Sequence, residues 1–264
     1  MTRSNNPALH TNASGVLKKL LCASVIGALG AIAAPASAAV VTFDNVTNIV
    51  TPQLNAGDTV YNTGDAFTEA GFTLRVLNSA TADADEYGFV GALVNSSNPF
   101  ACTITACPVG NGSNYFAGVN DGMLNISFAG AAGFRLGSLS YAFVGPAPGL
   151  ANASYGQLVL TGTTKTGATI SIAGDFPGQD AAGNFTFDQF LVDPAFGGTT
   201  LTSLSINACL FDETGACSSE RFVTQNQAQF ALENLNLSVV PEPASIALML
   251  LGLAGLGTVS RRRK

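Results

Sequence analysis

The chain has 264 residues, with 11 basic and 17 acidic side chains and a formal net charge of −6. From Val40 to Val239 there are four basic and sixteen acidic residues, a net charge of −12, which argues against a protein that binds duplex nucleic acid. The one histidine is His10 and tryptophan is absent, so Val40 to Val239 holds no Ser-His-Asp or Cys-His arrangement and no histidine-ligated metal.

The N-terminal segment has the three parts of a secretory signal peptide. Lys18-Lys19 precedes an apolar run from Leu20 to Ala34, and Ala36-Ser37-Ala38 follows. A positive region, a hydrophobic region and a small-x-small cleavage site in this order predict export of the chain. We expect residues 1–39 to form a signal-peptide helix that the secretory translocon receives and signal peptidase removes. Cleavage is expected after Ala38 or after Ala39.

The segment from Val40 to Val239 has the sequence pattern of β-strands. Short runs rich in Val, Ile, Leu, Phe and Thr alternate with turns rich in Gly, Asn, Asp and Ser. Helical periodicity is not sustained in this segment, so strands are the predicted elements. We predict ten strands, at Val40–Phe43, Phe72–Leu77, Phe89–Val94, Leu124–Phe128, Phe134–Val144, Gln157–Thr163, Ala168–Ala173, Phe185–Val192, Leu201–Leu210 and Gln229–Val239.

Turn composition and alternation indicate how these strands are arranged. Thr164-Lys165-Thr166-Gly167 separates two of them and predicts a hairpin turn. The last strand alternates apolar and polar residues if a bulge near Glu233-Asn234 inserts one extra residue. Regular strands separated by turns favour an all-β fold, an antiparallel β-sandwich of jelly-roll type. We expect it to be flanked by the signal-peptide helix and a short C-terminal transmembrane helix.

The cysteines favour disulfide bonds. Of five cysteines, Cys22 lies in the predicted signal peptide, and Cys102, Cys107, Cys209 and Cys217 remain. An even number of cysteines in an exported chain is typical of disulfides, and four cysteines allow three pairings. We favour 102–107 and 209–217, because each pair brackets a short polar or Pro/Gly-bearing loop. Zinc is the competing interpretation, but neither spacing is Cys-x-x-Cys and no histidine is available.

The C-terminal segment combines a proline motif, an apolar run and a basic cluster. Val240-Pro241-Glu242-Pro243 precedes an apolar run from Ala244 to Ser260, and Arg261-Arg262-Arg263-Lys264 ends the segment. The prolines disfavour helix, so the motif is an extended peptide suited to a processing enzyme. As a helix the apolar run measures about 25 Å, slightly less than a hydrocarbon core of about 30 Å. We expect the four terminal cations to stay cytoplasmic and to anchor the segment.

This order and spacing resemble the PEP-CTERM sorting signal of Gram-negative bacteria, also named the ice-binding-protein C-terminal domain. The resemblance implies that the tail anchors the chain transiently in the inner membrane and that an exosortase processes it near Pro241-Glu242-Pro243. It also implies a final position at the cell surface or outside the cell. We therefore divide the chain into a signal peptide (1–39), a secreted β-sandwich domain (40–239) and the sorting signal (240–264).

Short motifs in the domain resemble the frame of jelly-roll ectodomains that are often fused to this signal. They are Phe43-Asp44-Asn45-Val46, Ala70-Gly71-Phe72 and the run Phe230–Leu235. Such ectodomains are similar to galactose-binding-like and carbohydrate-binding-module sandwiches. Gln189-Phe190-Leu191-Val192-Asp193 also resembles a Gln-Phe-x-x-Asp signature in one subset of exosortase substrates. We transfer no ligand specificity from these motifs.

Asp44 and Glu233 are the candidate metal ligands, for a structural calcium ion. They lie on the first and last predicted strands, which are often neighbours in jelly-roll carbohydrate-binding modules. Calcium binds about six to eight oxygens, so backbone carbonyls would have to complete the coordination. The alternative is that both carboxylates are solvated or accept hydrogen bonds from turn N–H groups. We expect no other cofactor.

We expect the domain not to be an enzyme. A glycosidase needs two carboxylates about 5–10 Å apart, but sixteen acidic residues make such pairs common by chance. The resemblance implies a structural or adhesive role in exopolysaccharide or biofilm. The alternative is a lectin-like carbohydrate-binding module, which predicts exposed aromatic rings on a concave sheet face; Tyr115 is the best loop candidate for such a ring.

Ice binding is a further class that the sequence allows us to consider. It requires a flat array of regularly spaced threonines. Thr161, Thr163, Thr164, Thr166 and Thr169 are clustered, but they straddle the predicted turn and do not recur in a sequence repeat. The sequence therefore does not predict an ice-binding array.

Overall fold

A computed structural model of the protein describes residues 38–47, 53–54, 58–80, 89–95, 106–129, 132–145, 155–217 and 228–241. Nearly all of the predicted signal peptide and the whole predicted transmembrane segment lie outside these described residues. Within them, no helix is long and apolar enough to cross a membrane.

The described residues form fourteen strands and one short helix. The strands of the first half are β1 (Ala38–Val41), β2 (Gln53–Leu54), β3 (Asp58–Tyr61), β4 (Ala66–Glu69), β5 (Phe72–Asn78), β6 (Gly91–Val94), β7 (Tyr115–Gly118) and β8 (Gly122–Phe128). The second half contains β9 (Gly133–Phe143), β10 (Gly156–Thr164), β11 (Thr169–Asp175), β12 (Asp188–Gln189), helix α1 (Pro194–Gly198), β13 (Leu201–Leu210) and β14 (Phe230–Val240).

The strands form two antiparallel sheets that are continuous at one corner. The first sheet has the order β2-β3-β6-β7-β14-β9, and β1 also pairs with β14 while β12 pairs with β9. The second sheet has the order β4-β5-β8-β13-β10-β11. One residue pair, Leu201 opposite Phe134, connects β13 to β9 across the corner. The sandwich is therefore nearly barrel-shaped, and the predicted all-β, antiparallel fold class is confirmed.

The hydrophobic core lies between the two sheets because side chains alternate along the strands. In β5 the side chains of Phe72, Leu74 and Val76 are buried, while Thr73 and Arg75 point to the open face. Burial of one such apolar side chain contributes about 1.5–3 kcal/mol. The largest fully buried side chains are mostly phenylalanines, namely Phe43, Phe67, Phe72, Phe116, Phe134, Phe185, Phe196 and Phe230.

The predicted hairpin turn and strand bulge are both confirmed. In the turn after β10, the Gly167 N–H donates to the Thr164 carbonyl at 2.9 Å, and Gly167 has the positive φ of +82° that this position requires. In β14 the register with β9 shifts between Glu233 and Asn236, and Asn234 has a φ of +52°. The bulge keeps the apolar residues on both sides of it directed into the core.

Several strands depart from the prediction for identifiable reasons. Strand β7 was not predicted; its three side chains, those of Tyr115, Phe116 and Ala117, are all buried, and it shows no alternation of polar and apolar residues. The predicted strand Phe185–Val192 is mostly irregular, and only Asp188–Gln189 pair with β9. Helix α1 was also not predicted; Asp193 caps it by accepting a 2.7 Å hydrogen bond from the Phe196 N–H, and a helix of five residues is too short to show periodicity.

One predicted disulfide is confirmed directly. Cys209 and Cys217 are bonded, with their Cα atoms 5.5 Å apart, and the bond closes a hairpin of the kind expected from the sequence. At its tip Asp212 Oδ1 accepts hydrogen bonds from the N–H groups of Thr214 and Ala216. Cys107 is also disulfide-bonded, and Cys102, its predicted partner, lies outside the described residues.

Candidate functional site

Strand β14 leads directly into the proline motif. Its last residue, Val240, is paired with Gly133 of β9, and half-buried Pro241 follows as the next residue. Glu242 and Pro243 lie outside the described residues. The predicted processing site therefore begins where the hydrogen-bonded strand ends, and the described chain shows no linker between the two.

The first strand starts beside this exit point. Ala38 of β1 lies opposite Ser238 of β14, two residues before Val240. Neighbouring strands are about 4.8 Å apart, so the N-terminal end of β1 and the C-terminal end of β14 lie at the same end of one strand pair. Both ends that are predicted to be processed thus leave the domain at one point.

Strand β14 is bonded along both of its edges. One edge pairs with β9 from Phe230 to Val240. The other edge pairs with β7 at Phe230 to Leu232 and with β1 at Leu235 to Ser238. The strand that carries the sorting signal is therefore an interior strand of the first sheet.

The two candidate calcium ligands reach neighbouring residues of one loop. Asp44 Oδ1 accepts a 3.1 Å hydrogen bond from the Asn114 N–H, and Glu233 Oε1 accepts one from the Ser113 hydroxyl. The Ser113 N–H donates to Asn111 Oδ1 at 2.9 Å, while Asn111 Nδ2 is buried without a hydrogen-bond partner among the described residues. Asp44 therefore accepts a loop N–H, as in the alternative to a calcium site, although both carboxylates lie at the same loop.

Glu69 is a buried carboxylate that the sequence analysis did not predict as a site residue. It is 5% exposed, and its two oxygens accept hydrogen bonds from the N–H groups of Thr42 at 3.2 Å, Phe43 at 2.8 Å and Asn45 at 3.4 Å. Phe43 has a φ of +64°, which directs successive N–H groups toward one anion. Glu69 thus holds the segment that carries Asp44. Its position two residues after core residue Phe67, on a strand with alternating burial, is the signal that could have identified it.

Within the described part of the chain, no group of three or more His, Cys, Asp or Glu side chains is placed to hold a metal ion. A calcium ion between Asp44 and Glu233 would therefore take most of its ligands from backbone carbonyls and from hydroxyl or amide oxygens such as those of Ser113 and Asn111. Whether these residues bind calcium stays a prediction.

The tyrosines are packing residues in the described structure. Tyr61, Tyr115 and Tyr141 are buried, and Tyr115 lies in strand β7 instead of a loop. Tyr155 is half-buried and stacks on Phe143, with ring centroids 5.5 Å apart. Every Phe and Tyr side chain in the described ranges is at least partly buried, so the exposed sugar-stacking rings expected of a lectin-like module do not occur in this part of the chain.

The Gln-Phe-x-x-Asp segment has a structural role at two of its positions. Phe190 is buried and packs edge-on against Tyr141 at 5.3 Å, and Asp193 caps helix α1. Gln189 is exposed, and Leu191 is 89% exposed. Phe190 therefore anchors the segment in the core, and Asp193 begins the helix three residues later.

Among the described carboxyl groups, Asp121 is the one whose pKa is raised by burial. Burial raises the pKa of its carboxyl to about 6, and a 3.2 Å hydrogen bond from the Ala228 N–H opposes the shift. A carboxyl with a shifted pKa can indicate a catalytic site, but only where a second reactive or charged group lies beside it. Here the carboxyl connects the turn after β7 to the start of β14, which is a structural role.

Comparison with known proteins identifies the C-terminal segment. Residues 239–264 match the family model for the PEP-CTERM protein-sorting motif. No curated protein is significantly similar in sequence to this chain. The motif belongs to exported proteins that an exosortase processes, and it begins within the last two residues of β14.

Solved structures show only distant likeness. The chain is similar to a cyclase from Fischerella sp. TAU, with a TM-score of 0.38 and 11% identity over 78% of this chain and 100% of that one. For the enzymatically active domain of tailspike protein 4 from bacteriophage CBA120, the TM-score is 0.24, with 14% identity over 70% of this chain and 20% of that one.

A third structure, TmCBM61 in complex with beta-1,4-galactotriose, has a TM-score of 0.26, with 8% identity over 64% of this chain and 84% of that one. Similarity at this level carries no argument about function. The comparisons establish one feature of the C-terminus. The chain carries a PEP-CTERM protein-sorting motif at residues 239–264, which begins with the last two residues of β14.

Proposed function

We propose that the protein is a non-enzymatic structural or adhesive component of the cell surface or of an exopolysaccharide matrix such as a biofilm. The observation that carries this proposal is the direct continuation of β14, an interior strand, into the sorting motif at Pro241. Processing at that motif releases or transfers a domain that is held through a central strand.

This attachment suits a protein that bears mechanical load. Hydrogen bonds of an antiparallel pair run perpendicular to the strands, so a pull along β14 acts on all of its rungs together. Those rungs connect β14 to β9 on both sides of the bulge and to β7 and β1 on its other edge. The Cys209–Cys217 bond additionally fixes the end of β13 in the second sheet.

A genetic test measures the location of the protein and the cohesion of the matrix in the same cells. Cells that lack the chain are compared with cells that produce it and with cells that produce a Pro241→Ala, Pro243→Ala double variant. We expect loss of the chain to reduce aggregate settling, and the variant to stay in the inner membrane and fail to restore it. Unchanged settling and matrix mass without the chain would show that the structural role is wrong.

The second candidate function is a lectin-like module stabilised by calcium. Its support is the convergence of Asp44 and Glu233 on Asn114 and Ser113. In this account calcium raises the melting temperature of the protein, a chelator lowers it, and Asp44→Asn abolishes the difference. Glu213→Gln, which changes an exposed turn residue, is the matched control and keeps the calcium response. A melting temperature that is the same with calcium and with chelator would rule this candidate out.

A further inference from the structure

One row of hydroxyl side chains crosses all six strands of the second sheet. Each member lies directly opposite the next one in the register of neighbouring strands. We call this set the hydroxyl row; its members, in the order of the strands, are Thr68 of β4, Thr73 of β5, Ser127 of β8, Ser203 of β13, Thr163 of β10 and Thr169 of β11. Thr47 extends it beyond β4, with its hydroxyl 2.7 Å from that of Thr68.

The hydroxyl row lies on the outer face of the sandwich. Its members are half-buried or exposed, while the residues next to them in sequence, such as Phe72, Ile126 and Leu204, are buried in the core. Strands in a sheet are about 4.8 Å apart, so the six strands place hydroxyls over roughly 24 Å. Because the sheet has a right-handed twist, the direction of the hydroxyl row changes from strand to strand. A row of this shape suits a flexible polymer better than the flat face of an ice crystal.

Most hydroxyls of the row are open to a ligand. Among the described residues, the side chains of Thr73, Ser127, Ser203, Thr163 and Thr169 make no hydrogen bond to the protein. The adjacent row on the same face differs, because its hydroxyls bond to neighbouring side chains. Its members Thr161 and Ser171 lie 3.0 Å apart through their hydroxyls, and Asn125 Nδ2 donates to Ser205 Oγ at 2.9 Å.

The charge of this face differs from that of the whole domain. Although residues 40–239 carry a net charge of −12, the outward positions of the six strands include one cation, Arg75, and one anion, Asp175. Both lie outside the hydroxyl row. The face therefore neither repels nor attracts charge strongly, and it offers donors and acceptors to a neutral partner.

We propose that the hydroxyl row binds a neutral polysaccharide chain that lies across the strands. Each Ser or Thr hydroxyl supplies one donor and two acceptors, which can exchange hydrogen bonds with sugar hydroxyls on successive residues of the polymer. Each contact is weak alone, and several along one chain add up. Binding therefore strengthens with polymer length. This inference rests on the proposed function, because it names the matrix component that the exported domain contacts.

The test uses the full chain in detergent and measures its retardation in gels that contain a polysaccharide. The neutral probes are dextran, amylose and the neutral fraction of the producing cells' own exopolysaccharide, and alginate is the anionic probe. We expect at least one neutral polymer to retard the protein in the gel, and we expect short oligosaccharides of the same polymer not to retard it. The variant Thr73→Val, Ser127→Ala, Ser203→Ala removes three central hydroxyls and raises the dissociation constant at least about tenfold.

The matched control is Thr161→Val, Ser171→Ala, which removes two hydroxyls that bond to each other on the same face. It keeps the dissociation constant within about twofold of the wild type, because those hydroxyls are already paired. Melting temperatures of all three proteins establish that each is folded. If the central variant fails to fold, Ser203→Ala alone is measured, with an expected weakening of at least about twofold.

Three results would overturn the proposal: no retardation by any neutral probe, retardation by alginate alone, or an equal loss in the central and control variants. Matrix retention in cells separates this failure from failure of the proposed function. A central variant that stays in the matrix as fully as the wild type contradicts the hydroxyl row and leaves the structural role intact. A wild-type protein that is absent from surface and matrix contradicts the structural role itself.

Discussion

At the scale of single residues, Asp121 couples stability to pH. Its pKa of about 6 in the folded protein exceeds the ordinary value of 3.8, because the carboxyl is buried. The folded protein therefore holds this proton more tightly than the unfolded chain does. The contribution of the group to stability is complete below about pH 4 and is lost as the pH rises through about 6.

We predict that Asp121→Asn is about 1–2 kcal/mol more stable than the wild type at neutral pH and similar to it near pH 4. Asparagine keeps the Oδ1 acceptor for the Ala228 N–H and tolerates the φ of +54° at this position. Urea unfolding at several pH values between about 4 and 7 measures the difference, with Glu213→Gln as the control. Parallel pH profiles for Asp121→Asn and the wild type would contradict the assignment.

The residues of the candidate site were only partly predictable from the sequence. Asp44 and Glu233 were identified from their predicted places on the first and last strands. In the structure Asp44 lies three residues after β1, and both side chains do reach the loop that contains Ser113 and Asn114. Glu69 was not identified, because the N–H groups that it binds lie 24 to 27 residues before it in sequence. Contacts of that range depend on strand pairing, which a single sequence does not specify.

At the scale of elements, the bulge in β14 sets the register of the strand that joins the domain to its sorting motif. Asn234 adopts a φ of +52° there, a conformation that β-branched residues avoid. We predict that Asn234→Val lowers the free energy of unfolding by about 1–2 kcal/mol, while Asn234→Gly changes it by less than about 0.5 kcal/mol. Thermal unfolding of the two variants compares them directly. Equal losses would show that the asparagine side chain matters more than the backbone conformation.

Alternating burial accounts for several of the predicted strands but not for all of them. Strand β6 is buried at every position and was predicted within Phe89–Val94, whereas β4 alternates and was not predicted. Strands β5, β8 and β10 alternate buried and open side chains, and β14 does so from Asn234 to Ser238; this is the pattern that marks a strand in sequence. Strand β7 is buried at every position, because its second face packs in a smaller apolar cluster with Ala142 and Ala231. The segment Phe185–Val192 was overpredicted, since Phe185 and Phe190 reach the core from irregular backbone.

At the scale of the whole molecule, the fold class was predictable but the surfaces were not. Turn spacing and strand composition were enough to indicate an antiparallel sandwich. The hydroxyl row draws on six strands between Thr68 and Ser203, so it exists only through tertiary register. The threonine cluster visible in sequence contributes two of its members, Thr163 and Thr169, from the two sides of one hairpin.

The central claim is that the domain is delivered to the matrix by processing at the end of β14. Mass spectrometry of the protein extracted from the surface and matrix of producing cells tests it most directly, because it locates the protein and reads both of its ends. The account predicts a mature chain that begins at Ala39 or Val40 and lacks the apolar run from Ala244 to Ser260. Protein found only in the membrane fraction, with residues 244–264 intact, would contradict it.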